Sequence, residues 1–198
     1  MAEYDAVIVG SGPNGLAAAV ELTRAGRRVL VVERAAEIGG GTRSAEITLP
    51  GFLHDICSAI HPLGAASPFF RSIGAGDWVH PEIPLTHPLG GGRVAVLHRS
   101  ITETAEGMGA DALPYRRLVE RLVEHADDLV RDVLSPFRLP PRHPATLAGF
   151  GLGGLMAADR GVRRFATDEG RALYGGLVAH AIAPFDAPMT HAVAKLFA

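Results

Sequence analysis

The chain has 198 residues, enough for one domain or for one and part of a second. A net charge of −2 with no basic run argues against a nucleic-acid surface, and a single cysteine, Cys57, rules out an internal disulfide, so a reducing, cytoplasmic setting is expected. Hydrophobic residues make up 47% and charged ones 20%, yet no apolar run approaches the ~20 residues that span a bilayer; peripheral membrane contact stays open.

The start, Met1-Ala2-Glu3-Tyr4-Asp5, is acidic and enters the first strand directly, leaving no room for a signal or transit peptide. Ala6 to Val9 is apolar on both faces, as expected of a central parallel strand with helices on each side. Gly10-Ser11-Gly12-Pro13-Asn14-Gly15 then leads into a helix from about Pro13 to Ala25. Pro13 sits in its first turn, Leu16, Ala17, Val20 and Ala25 form its apolar face, and Gly26 stops it. A second strand, Arg28 to Val32, ends in the acid Glu33.

Strand, G-x-G-x-x-G turn, helix, strand and acid form the dinucleotide-binding βαβ fingerprint. Gly10 lets the chain turn off the strand, Gly12 lets backbone amides approach a pyrophosphate, and Gly15 lets helix and sheet pack closely. The helix start offers unpaired N–H groups and a positive dipole end to phosphate. The Glu33 carboxylate is placed to accept bonds from a ribose 2′-OH and repels a 2′-phosphate. The glycines alone carry little weight in a chain with 24 of them, and a glycine loop in an unrelated fold is the competing reading.

A nicotinamide-type unit would continue from Glu33 into another helix and strand. Here Arg34-Ala35-Ala36-Glu37-Ile38-Gly39-Gly40-Gly41-Thr42-Arg43-Ser44 follows, with three consecutive glycines that read as a loop passing close to something. A second close approach just after the ribose acid suits FAD. Arg43 is then available for its phosphates or flavin edge, the alternative being a solvated arginine. The candidate cofactor-binding residues are Gly10, Gly12, Pro13, Asn14, Gly15, Glu33, Arg34, Gly39, Gly40, Gly41, Thr42 and Arg43. No motif licenses a catalytic acid or base.

Glu33-Arg34-x-x-x-x-Gly39-Gly40-x-x-x-Ser44 after Gly10-x-Gly12-x-x-Gly15 resembles the amino-terminal flavin signature of phytoene desaturases and amine oxidases. Pro50-Gly51-Phe52-Leu53-His54-Asp55-Ile56-Cys57-Ser58-Ala59-Ile60-His61-Pro62 is similar to a narrower phytoene-desaturase-like branch, called pyridine nucleotide-disulphide oxidoreductase domain-containing protein 2. That resemblance runs on through Trp78-Val79-His80-Pro81 and Gly91-Gly92-Arg93 to His180. It implies an FAD-dependent oxidoreductase that moves a hydride from an apolar substrate to flavin, and the apolar, weakly polar walls offered by the helices between Ala145 and Ile182 suit a lipid-like or polyene substrate better than a sugar or nucleotide. It also implies a substrate domain floored by an antiparallel sheet, and longer relatives whose carboxyl-terminal portion completes the parallel sheet and covers the flavin.

Read from the residues, Pro50 to Pro62 leads out of the cofactor segment. His54, Asp55, Cys57 and His61 match no zinc spacing, so no metal is expected; Cys57 reads as a small buried residue and His61 as a hydrogen-bonded structural histidine or one facing the flavin pocket. Ser67-Pro68 opens a short helix ended by Gly74 and Gly76. Leu85 to Leu89, Gly90-Gly91-Gly92 and Arg93 to His98 form a hairpin, and Ser100-Ile101-Thr102-Glu103 is a capping box.

Asp111 is the expected cap of one long amphipathic helix through Tyr115, Leu118, Val119, Leu122, Val123, Ala126, Leu129, Val130 and Val133. After the Pro140-Pro141-Arg142-His143-Pro144 connection come a glycine-weakened helix from Ala145 to Met156, a short Gly161 to Phe165 segment, and an Asp168-capped helix through Leu173, Leu177 and Ile182. Thr190 to Ala198 is a helix without a stop signal, so the chain reads as cut off inside it.

The expected fold class is α/β. A Rossmann-like FAD-binding βαβ with an incomplete parallel sheet occupies residues 1–64, as the first part of a discontinuous domain. A mixed α+β, largely helical, partial substrate domain occupies 65–198. Weak flavin retention and an exposed apolar sheet edge or face follow. A non-catalytic flavoprotein-like binding or regulatory protein is one alternative. An NAD-binding dehydrogenase is another, disfavoured by Gly39-Gly40-Gly41 so soon after the acid.

Overall fold

A computed structural model describes residues 3–136 and 138–198; Met1 and Ala2 of the acidic start lie outside them. The chain forms two compact units, Met1–Gly64 and Ala65–Ala198.

In the first unit, β1 (Ala6–Val9), α1 (Pro13–Arg24) and β2 (Val29–Val32) form a βαβ unit. The strands pair in parallel, with Ala6 opposite Val29 and Val9 opposite Val32. α1 begins at Pro13, where a missing N–H costs nothing, and ends as Gly26 takes φ +75°. The expectation that helices cover β1 on both faces fails. Ala6 and Ile8 are half-buried, but Val7 is 57% and Val9 85% exposed. Among the described residues this sheet has two strands, so nothing here covers the face opposite α1. Ala25, assigned above to the apolar face of α1, is exposed.

A 3-10 turn at Gly40–Thr42 leads to β3 (Ser44–Ala45), which pairs antiparallel with β4 (His54–Asp55). α2 (Pro62–Ala66) spans the boundary between the units.

The second unit opens with α3 (Pro68–Ser72), whose Phe70 N–H donates to the Ser67 hydroxyl at 3.4 Å. β5 (Leu85–Gly90) and β6 (Arg93–Leu97) form a hairpin turned by Gly91 and Gly92 at φ +59° and +77°. α4 (Ile101–Gly107) is capped by Ser100, whose hydroxyl accepts from the Glu103 N–H at 3.3 Å.

The expected long helix is two, α5 (Ala112–Glu124) and α6 (Ala126–Val133), broken at His125 with φ −118° and ψ 22°. Apolar residues keep helical phase across the break, which is why the sequence pattern hides it. Asp111 makes no capping bond to α5. It is buried, and its carboxylate accepts from the Ala166 and Thr167 N–H groups at 2.7 and 2.8 Å and from the Thr167 hydroxyl at 2.5 Å, tying α5 to the start of a later helix.

α7 (Pro144–Gly154), α8 (Ala158–Gly161), α9 (Asp168–Ala179) and α10 (Thr190–Phe197) complete the unit. Thr167, not Asp168, caps α9, accepting from the Gly170 N–H at 3.0 Å. α9 stops at Ala179, leaving Ile182 outside the helix and 96% exposed. The core joins Ala95 and Leu97 of β6 to Ala105 and Met108, to Tyr115, Leu118 and Val119 of α5, and to Leu173, Tyr174, Leu177 and Val178 of α9. Among the described residues no helix is long and apolar enough to cross a membrane.

Candidate dinucleotide site

The site is built at the carboxyl ends of β1 and β2. The Gly10 N–H donates to the Val32 carbonyl at 2.7 Å, the last rung of the pair, before Gly10 turns the chain at φ +96°. A Cβ on Gly15 would overlap the Gly10 carbonyl oxygen and touch Ile8 at 3.5 Å. Its task is therefore to bring α1 against the turn.

Gly12 differs. It is the N-cap of α1 at an ordinary φ of −70°, no side chain caps the helix, and a Cβ there would meet only the Gly40 Cα at 3.9 Å. Unpaired N–H groups at a helix start, beside a backbone that no side chain covers, make a cradle that suits a phosphate.

Glu33 follows β2 and reaches back to the same turn. Its Oε2 accepts from the Ser11 N–H at 2.8 Å and the Ser11 hydroxyl at 2.7 Å, and its Oε1 accepts from the Ala35 N–H at 2.9 Å. The Ala35 and Ser11 backbone bonds, with the Ser11 hydroxyl, hold the carboxyl down from its ordinary 4.5 to about 2. Each carboxylate oxygen accepts about two hydrogen bonds, so Oε2 is filled by Ser11, while Oε1, held by Ala35 with a weaker pull on the carboxylate from the Arg34 N–H, is the oxygen left to face a ribose hydroxyl. Ser11 is 1% exposed. Sequence reasoning treats it as a spacer; a hydroxyl between two turn glycines is the one signal that points to it.

The glycine loop closes on the turn from the other side. The Gly39 N–H donates to the Ser11 carbonyl at 3.0 Å, and a Cβ on Gly40 would stand 2.9 Å from the Gly12 Cα. Gly39 and Gly40 have φ of +112° and +57°, a region that favours glycine. Thr42 donates its hydroxyl to the Gly39 carbonyl at 2.7 Å, and the half-buried Arg43 donates Nε to the Gly40 carbonyl at 2.9 Å. Both side chains shape the loop. The Gly41 carbonyl accepts from the Ser58 N–H at 2.9 Å.

The structure thus gathers Gly10, Gly12, Pro13, Gly15, Glu33, Gly39, Gly40 and Arg43 around one turn. Asn14 and Arg34 are exposed beside it.

Cys57 is exposed, not buried as its residue type suggested, because it sits on the short β4 connection where the unit has little depth. His61 shares a hydrogen bond with the Ser58 hydroxyl at 3.3 Å. His54 bonds Thr48 at 2.6 Å and Asp55 accepts from Ser44 at 2.6 Å, so these side chains serve the β3–β4 pair.

This geometry gives the first unit a Rossmann-like βαβ arrangement whose turn suits a dinucleotide. The sequence pattern of the NAD(P)-binding Rossmann-like domain family matches residues 8–73. The chain is 54% identical over 39 residues to the soluble pyridine nucleotide transhydrogenase of Sodalis glossinidius, covering 20% of this chain and 8% of that protein. Its counterpart in Pseudomonas syringae pv. tomato is 37% identical over 76 residues, covering 38% and 16%. A limonene dehydrogenase polypeptide of Castellaniella defragrans is 28% identical over 110 residues, covering 54% and 20%. In fold, 96% of the chain overlays 40% of wild-type putrescine oxidase bound to putrescine, with a TM-score of 0.52 and 19% identity. The chain therefore spans less than half the length of each of these proteins, all of them oxidoreductases by name.

Proposed function

We propose that the chain is the FAD-binding and partial substrate-binding portion of a phytoene-desaturase-like oxidoreductase that takes hydride from an apolar, lipid- or polyene-like substrate in the cytoplasm. Residues 1–64 hold the cofactor and residues 65–198 contribute to the substrate side. The observation that carries the reading is the joint grip of Glu33 and the Gly39–Gly40 loop on the Ser11 turn: the loop lies against Gly12 where a nicotinamide-type unit would begin a helix.

In this reading the amides from Gly12 to Gly15 bind the pyrophosphate. Glu33 Oε1 accepts from the adenosine ribose, and the outer nitrogens of Arg43 meet phosphate or the flavin edge. FAD, when bound, supplies the hydride-accepting ring. The protein's part is to bind and orient it and to exclude a 2′-phosphate by the ionised Glu33. The names of the transhydrogenase relatives favour a pyridine nucleotide as the second reading.

Calorimetric titration of the chain with FAD and with NAD separates the two, FAD being the expected tighter ligand. Glu33→Ala should weaken FAD binding about tenfold, the worth of one hydrogen bond to a charged group. Unchanged FAD affinity in that variant, or a preference for NAD, overturns the proposal.

A further inference from the structure

In the second unit a cleft of about 390 Å³ opens among α5, α6, α7 and α10. Arg117, Arg121, His125 and Lys195 stand around it and, among the described residues, no carboxylate lines it. Such a volume suits a small ligand, and such a rim suits an anion. Of the two acids on α5, Glu120 and Glu124, the first is engaged by Arg116 at 2.9 Å and neither lines the cleft. Among the described residues no acid pairs with Arg117, Arg121 or Lys195.

Lys195 is half-buried. Its ammonium donates to the Phe150 carbonyl at 3.3 Å and lies 5.1 Å over the Phe150 ring. Burial, and then the charge of Arg164, hold its pKa below the ordinary 10.5. A cation kept partly out of water among other cations gains from any anion that reaches it.

The floor is apolar, formed by Leu122, Leu129 and Phe150. It continues into a smaller recess of about 120 Å³ that shares Leu122, Leu129 and Lys195 and adds only apolar side chains, among them Val123 and Val130. A bare inorganic anion would leave these surfaces wet, and a sugar or nucleotide would set polar groups against them.

We propose that this cleft binds an amphiphile of the fatty-acid class, with its anionic head on Arg117, Arg121 and Lys195 and its single apolar chain along Leu122 and Leu129. The site shares no residue with the glycine turn and does not depend on the redox reading.

Calorimetry of the whole chain with decanoate, decanol and inorganic phosphate tests it. Decanoate should bind at least about tenfold tighter than either of the others, since the first lacks no partner and each of the others lacks one. The exposed pair Arg117→Gln with Arg121→Gln should weaken decanoate about tenfold and leave decanol unchanged. Gly149 lines the cleft, and a Cβ there meets nothing within 4 Å, so Gly149→Leu keeps the helix, fills the space and should abolish decanoate binding. Absence of decanoate binding, equal binding of phosphate or decanol, binding to anionic vesicles alone, or indifference to both variants would each overturn the assignment.

Discussion

Two glycines of one motif do different work, and one substitution separates them. In Gly15→Ala the new methyl overlaps the Gly10 carbonyl, a backbone atom that cannot swing away, so the β1–α1 junction must shift. The expected cost is about 1–3 kcal/mol, read as a lower urea midpoint. Gly12→Ala has an ordinary φ and meets only the Gly40 Cα at 3.9 Å, so it should fold with an unchanged midpoint and lose dinucleotide binding, because the methyl occupies the approach to the amides. A Gly12→Ala chain that binds FAD as the parent does would remove the cradle from the site. The spacing of glycines and acid was legible in the sequence because each answers a fixed steric demand. The bonds from Ser11 and Ala35 to Glu33 were not, because any residue at those positions carries a backbone N–H and only folding decides where it points.

At the level of elements, α8, α9 and α10 meet around a buried polar pair. The Tyr174 hydroxyl and His191 Nδ1 are 2.7 Å apart, both residues are at most 2% exposed, and a Cβ on Gly161 would overlap the hydroxyl. Burial first, then the charges of Arg164 and Lys195, lower His191 from 6.5 to about 4, and burial raises Tyr174 to about 12. The unfolded chain therefore takes up a proton below pH 6.5 that the folded one refuses until about pH 4. Stability from this residue is complete above pH 6.5 and falls as the pH drops toward 4, by about 3 kcal/mol at most. Urea midpoints across that window should decline in the parent and decline less in His191→Phe, which has no proton to take up. Equal slopes would mean that His191 is not held neutral. Nothing along the chain hints at this pair, since a histidine and a tyrosine seventeen positions apart signal nothing until two helices cross. The short caps at Ser67 and Ser100 were readable because their partners lie within three residues, and the hairpin because its glycine turn sets Gly90 opposite Arg93. Asp111 misled for the same reason: its partners lie 55 and 56 positions away.

For the molecule as a whole, the decisive feature is how little the first unit buries. Among the described residues its parallel sheet has two strands, and Val7, Val9 and Val32 are 57%, 85% and 39% exposed. A parallel strand of valine and isoleucine is built to be covered on both faces, and edges with unpaired N–H and C=O groups invite pairing with other chains. Replacing Val7 and Val9 by Thr keeps β-branched shape and strand preference while removing exposed hydrocarbon. The double variant should therefore keep its circular dichroism spectrum and stay monomeric by light scattering at several-fold higher concentration than the parent. If the proposed FAD reading holds, the same bare face should weaken the hold on flavin, because a nucleotide gripped from one side of an open sheet dissociates more easily than one enclosed. The purified 198-residue chain should lose FAD on gel filtration, with the flavin absorbance running in the small-molecule fractions. If the flavin instead comes through at one per chain, and the valine variant aggregates like the parent, the exposed face is not what limits either property.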